Sequence, residues 1–324
     1  MKPADSLPPD CLPIEEAPER RPSTARPPVW LVIAAFLAVY VIWGSTYLGI
    51  RLAIDSMPPF LMAGGRFLIA GILLYAVMRR SGVPRPLPEH WRDAAVTGTL
   101  LLLAGNGGVT WSEKRVPTNI TALIVAGTPL WIIVVDWLRP KGQRPHGLVF
   151  GGLLLGFAGV ALIVAGRSQS GTALVDPVGA GVLLLASICW ACGSVFSRHA
   201  RQPASSLLGV AMQMILGGVI LLVAGAVSGE VGRFDGHAIT ATSVWAFVYL
   251  TLFGSLVGFT AYVWLLRVST PARVSTYAYV NPLIAVVLGY LVLREPLPAG
   301  VLVAGALILA AVALITIKGQ ASSK

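Results

Sequence analysis

Residues 29–50 read VWLVIAAFLAVYVIWGSTYLGI, a run with no charged residue in it. At ~1.5 Å of rise per residue this is long enough to cross the ~30 Å hydrocarbon core of a bilayer. It is too long for the core of a secretory signal and has no small-residue cleavage site, so it reads as a retained membrane helix. Before it, residues 1–28 carry eight of the 23 prolines and charges of both signs. Such a stretch buries too little apolar surface to offset ordering and is predicted to be a disordered cytoplasmic tail. After it, charge-free runs recur over 94–112, 116–135, 145–166, 177–197, 202–229, 238–266, 274–293 and 296–317. The run 59–78 is interrupted only by Arg66.

The fold predicted is therefore an all-α integral membrane protein with ten transmembrane helices. The composition agrees: of 324 residues, 56% are hydrophobic and 12% charged, with a mean hydropathy of +0.77. Soluble chains run at roughly 25% charged, so soluble globular and disordered classes are both excluded. The net charge of +10 would point to nucleic acid in a soluble protein, but the placement of the charges gives another reason. With the N-terminus cytoplasmic, 17 Lys and Arg fall on the cytoplasmic side and 6 on the other. This is the bias that orients membrane helices; it predicts both termini in the cytoplasm and needs no nucleic acid.

The chain also repeats itself. A shift of 147 residues places Trp43 on Trp190, Arg51 on Arg198 and Gly71 on Gly218; a shift of 153 places Gly105 on Gly258, Trp111 on Trp264 and Pro129 on Pro282. The division is 29–166 and 177–317, with 318–324 as a short C-terminal tail. Five helices per half is an odd number, so the two repeats are predicted to be inverted in the membrane. Inverted repeats belong to transporters, because they allow two related conformations open to opposite faces.

Catalytic chemistry is poorly supplied. His90, His146, His199 and His237 fall in loops or at helix ends, and no metal-binding or paired-carboxylate pattern accompanies them. Cys189 and Cys192 lie one turn apart in an apolar run, where packing explains them better than redox work. No cofactor or metal is implied.

Arg66 stands out, seven residues into the second span. A guanidinium at that depth must face a cavity, a partner or, by snorkelling, the interface. Its repeat counterpart is the uncharged Gln213. In the third span Gly105, Asn106, Gly107 and Gly108 thin the helix and supply one amide, suited either to a ligand or to an interhelical hydrogen bond; Gly258 is the counterpart of Gly105. Pro129, after Thr128, and Pro282, after Asn281, sit at the centres of the fourth and ninth spans, where each frees a carbonyl. Broken helices at matching positions of two repeats point to a central binding site, though a packing kink has the same sequence. Trp43, Tyr47, Trp131, Trp190, Tyr277 and Tyr279 are deep aromatics, some of them suited to lining a pocket. The substrate-binding candidates are thus Arg66, Asn106, Trp43, Tyr47, Trp190, Gln213, Tyr279 and Asn281, with Pro129, Pro282, Gly105 and Gly258 as gating positions. For coupling, Glu113 ends the third span and Asp136 lies at the inner end of the fourth. Neither is central, which leaves facilitator and antiporter both open.

Several stretches resemble a known family: W-G-S-T-Y-L-G-I-R-L-A (43–53), P-P-F-L-M-A-G-G-R-F-L (58–68), A-G-N-G-G-V-T-W-S-E (104–113), S-T-Y-A-Y-V-N-P (275–282) and R-E-P-L (294–297). The chain is similar to the EamA family of the drug/metabolite transporter superfamily, and within it to the exporter branch. The resemblance implies ten helices in two inverted repeats, a central cavity and export of small organic solutes across a cell (inner or plasma) membrane. By similarity Arg66 matches the arginine of the family's second helix, and Asn281 with Pro282 the motif of the ninth. Members often carry a glutamate after the fourth helix as well as after the ninth. Here Glu295 follows the ninth, whereas Arg139, Pro140 and Lys141 follow the fourth. The expected partners are a small-molecule substrate and the lipid bilayer, with a monomeric or homodimeric state. A membrane-embedded lipid-modifying enzyme and a non-transporting assembly or scramblase protein are the alternatives. The first lacks a catalytic cluster; matched broken helices count against the second.

Overall fold

The computed structural model describes residues 27–139, 147–165, 175–269, 274 and 276–319. The predicted disordered tail, but for Pro27 and Pro28, lies outside them, as do residues 320–324 and the Pro140–Lys141 segment. All regular structure among the described residues is helical.

Proline and polar caps start the helices, and charge or glycine stops them. α1 (Val29–Ala53) begins after the extended Pro28, and α2 (Pro59–Arg80) has proline at its first position, where a missing N–H costs nothing. α3 (Pro88–Gly98) starts the same way and passes without a break into a π-helical segment (Thr99–Gly107) and then α4 (Gly108–Ser112). α5 (Thr118–Ala126) and α6 (Thr128–Leu138) are separated at Gly127. α7 (Gly147–Ala165) completes the first half.

In the second half, Asp176 caps α8 (Pro177–Ser197) by accepting from Gly179 N at 2.7 Å. α9 (Ser206–Val227) is followed by Gly229, whose φ of 76° turns the chain away. α10 (Ala241–Tyr249) runs through a second π-helical segment (Leu250–Val257) into α11 (Gly258–Val268). α12 (Tyr277–Leu293) and α13 (Ala299–Gly319) finish the chain.

Among the described residues six helical stretches are long and apolar enough to cross a membrane: Val29–Ala53, Pro59–Arg80, Thr118–Leu138, Pro177–Ser197, Ser206–Val227 and Ala241–Leu265. Shorter apolar helices cover Val149–Ile163, Val280–Leu293 and Ala299–Leu314. Leu37 and Val41 on α1, Ile69 and Ile72 on α2, Leu154 on α7, Val223 on α9 and Val287 on α12 all point outward and exposed. Thr97, Thr110, Thr121 and the deep Arg66 are buried. A soluble bundle would distribute these the other way, and the outer belt is the surface a bilayer covers.

Packing crosses between the halves. α2 lies against α9 so closely that a Cβ on Gly218 would stand 2.6 Å from Leu68 N, and one on Gly71 would stand 2.7 Å from Ile215 N. α7 pairs with α13, where a Cβ on Gly159 would meet the Ala304 carbonyl at 2.9 Å. Without a hydrophobic drive between helices in lipid, such backbone approach is what gives dispersion enough contact area. The largest core cluster joins Ile120, Leu123, Leu130, Leu153, Leu183 and Ile308.

Candidate substrate path

Arg66 is only 3% exposed, and its Nη2 donates to Asn106 Oδ1 at 2.8 Å. Asn106 is held in turn from its own helix, where Thr110 Oγ1 donates to its backbone oxygen at 2.8 Å. The π segment places the amide there: its wider turns rotate the side chains that follow relative to an unbroken α-helix. Arg66 Nε has no partner. A buried guanidinium held by one neutral acceptor keeps its charge and a spare N–H, which suits it to an oxygen-bearing solute.

The glycines around Asn106 are filled by protein. A Cβ on Gly105 would lie 2.8 Å from Trp190 Cε3, one on Gly107 2.8 Å from Leu221 Cδ2, and one on Gly108 3.0 Å from Ala186 Cβ. The second half repeats the arrangement, since a Cβ on Gly258 would lie 2.4 Å from Trp43 Nε1. That indole also donates to Gly254 O at 3.2 Å, satisfying a carbonyl of the second π segment. Each half's deep tryptophan therefore sits on a glycine of the other half, beside a π segment. Trp43 matches Trp190 and Gly105 matches Gly258 in the repeat, and the fold brings each tryptophan onto the glycine of the other pair.

Trp43 also organises a group that the sequence did not assemble. Phe259, Tyr262 and Tyr277 each have ring centroids 5.2 Å from it, and Tyr262 meets Tyr277 edge-on at 5.8 Å. The available signal was the spacing of Phe259 and Tyr262, one turn apart on the same helix face. Trp190 and Tyr47 are half-buried, while Tyr279 lies on α12 with its side chain outside the described set. Trp131 packs on Phe157 of α7 at 4.7 Å.

The remaining candidates fall elsewhere. Gln213 lines a crevice with His90, Asp93 and Arg201 at the opposite end of the bundle from Glu113. Asn281 is buried; in the amide orientation that satisfies its surroundings, its nitrogen donates to the Tyr40 and Tyr277 carbonyls, each at 3.2 Å. It thus ties α12 to α1. Pro282 lies within a continuous α12, whereas Pro129 starts α6 just beyond the break at Gly127. Asp136 pairs with Arg139 at 3.0 Å, and Arg139 reaches His199 at 2.9 Å. Glu113 is 1% exposed, deeper than its position at the end of a span implied.

At one end of the bundle, carboxylates reach across the halves. Glu295 accepts from Thr118 N at 2.6 Å and Asn119 N at 2.8 Å, which caps α5. Glu230 accepts from Phe60 N at 3.3 Å and Leu61 N at 3.0 Å, which caps α2. Pro117 and Pro58 precede these helices and bring no side-chain cap of their own, so the orphan donors are satisfied from the partner half. At the other end, Asp93 accepts from Arg201 N at 2.8 Å. That bond chiefly holds the Asp93 carboxyl below the usual carboxylate range, against the effect of burial and with help from Arg92. Among the described residues no group of three His, Cys, Asp or Glu is placed to hold a metal ion.

Comparison with known proteins agrees with this architecture. The chain is 40% identical over 260 residues to the inner membrane transporter YedA of Escherichia coli (strain K12), covering 80% of this chain and 81% of that one. It is 28% identical over 292 residues to the transporter YvbV of Bacillus subtilis (strain 168), covering 90% and 92%. A solved crystal structure shares the fold with a TM-score of 0.60 at 19% identity, over 88% of this chain and 97% of that one. The profile of the EamA-like transporter family matches twice, at residues 30–165 and 177–317. This chain belongs to the EamA-like transporter family and is a multi-pass membrane transporter of that kind.

Proposed function

We propose that the protein is a secondary transporter that exports small organic metabolites or drugs, amino acids and related amphipathic solutes among them. It works by alternating access of two inverted five-helix repeats, 29–166 and 177–317, with ten spans and both termini in the cytoplasm. In this orientation the end with the Glu230 and Glu295 caps faces outward, and the end with Asp93 and Arg201 faces the cytoplasm.

The observation that carries the reading is the buried Arg66–Asn106 pair with its spare Nε donor. A charge is kept inside a membrane bundle only where its use repays desolvation. The reciprocal contacts of Trp43 with Gly258 and Trp190 with Gly105 support the two-repeat mechanism, because equivalent joints on both halves let each conformation be built from the same contacts exchanged.

Purified protein in phospholipid vesicles, given a panel of labelled amino acids, nucleosides and a cationic dye, tests the reading. Uptake of at least one solute is expected, with Arg66→Ala and Asn106→Ala losing it while still inserting and folding. No uptake of any panel member, or loss of folding in both variants, would overturn it.

A further inference from the structure

Glu113 follows α4 directly and is 1% exposed, yet neither carboxyl oxygen has a hydrogen-bond partner. Its main chain is engaged instead, the N–H donating to Val109 O at 3.0 Å and the carbonyl accepting from Arg51 Nη1 at 2.7 Å. A bare ionised carboxylate in such surroundings loses its hydration without replacement, so the neutral acid is the form this pocket holds at lower cost. The negative end of the helix dipole acts the same way.

Charged and titratable groups face Glu113 from the neighbouring elements. Tyr47 and Arg51 come from α1, Arg66 from α2, and Glu295 from beyond α12. α8 also packs on α4, and its capping Asp176 is engaged by Arg115 at 3.5 Å and by Gly179 N. Glu295, an acceptor of two backbone N–H groups, disfavours a second negative charge beside it. Arg51 and Arg66 would stabilise one if water or a solute rearranged the pocket. Trp111, Lys114 and Arg115, on either side of Glu113 in the chain, line a basin of about 500 Å³ with Phe60, Glu230 and Arg233.

We propose that Glu113 is a proton-binding site of the transport cycle. Its carboxyl holds a proton while the Glu230 and Glu295 caps are in place. When the Glu230 and Glu295 caps release and the basin deepens, the O–H bond breaks, the proton passes to water, and the carboxylate left behind is stabilised by Arg66 and Arg51. The second arm of the test rests on the transport reading above; the first does not.

In the first arm, infrared spectra of the purified full chain at neutral pH are compared with those of Glu113→Gln. A carbonyl band of a protonated carboxyl in dry surroundings is expected in the parent and absent from the variant. No such band in the parent, or its survival in the variant, overturns the proposal. Should Glu113→Gln fail to fold, Glu113→Asp keeps a carboxyl in altered surroundings, and an unshifted band overturns it. In the second arm, phosphatidylethanolamine and phosphatidylglycerol vesicles are loaded with the same solute panel. The ratio of uptake with an imposed pH gradient to uptake without one is expected to exceed one in the parent and to fall to about one in Glu113→Gln; equal ratios in both overturn the proposal. A parent chain that moves no panel member removes the transport reading, and the infrared band then decides the proton site by itself.

Discussion

Arg66 and Glu113 were not equally visible in the sequence. Arg66 is the lone charge inside an apolar run, so its depth follows from counting along a helix. Glu113 adjoins Lys114 and Arg115 and reads as an interfacial residue, yet it is almost wholly buried while both neighbours are exposed. Only the packing of α1, α2 and α8 around the end of α4 decides this. Removing the Asn106 acceptor leaves a buried cation short of a partner. Asn106→Ala should therefore cost about 1.5–3 kcal/mol, the range for hydrogen bonds to charged groups, measured as a lower midpoint of unfolding in detergent. A second prediction concerns Asp93, whose carboxyl is held below its usual range by the Arg201 backbone N–H. A lowered folded value means stability that is present above the ordinary carboxylate pKa of ~3.9 and lost as pH falls through the folded value. Asp93→Asn should then lower the midpoint at neutral pH, and the gap from the parent should close as the solution is acidified.

At the scale of elements, most helix positions were legible because a bilayer demands long charge-free runs. The interruptions were less so. Gly105 to Gly108 thin the third span, yet the helix stays continuous by widening into a π form, and Trp190, Leu221 and Ala186 fill the space the glycines leave. Pro129 and Pro282 looked equivalent; α12 runs across Pro282, while Gly127 divides α5 from α6. Two predictions belong here. Gly258→Ala drives a Cβ into the Trp43 indole and should destabilise by about 1–3 kcal/mol, the usual range for overpacking, with Trp43→Phe partly restoring the midpoint. Glu295→Gln should remove about 1.5–3 kcal/mol from the cap of α5, seen as faster amide exchange over Thr118 to Thr121.

For the whole molecule, the test is topology. If the two halves are inverted, reporters fused at either terminus and cysteines placed at Gln202 should all mark the cytoplasmic face, while cysteines at Asp55 and Asp235 should mark the other. Termini on opposite faces would exclude an even number of spans. The sequence by itself determined membrane class, helical content, the division into two matched halves and the family resemblance, because each follows from hydropathy, charge and spacing along one chain. What only the tertiary structure decided is which matched positions meet: α2 against α9, Trp43 on Gly258, Trp190 on Gly105, and the Glu230 and Glu295 carboxylates on helix ends of the opposite half. Those contacts join residues far apart in the chain through backbone approach and satisfied N–H groups, and periodicity within a single helix carries no information about them.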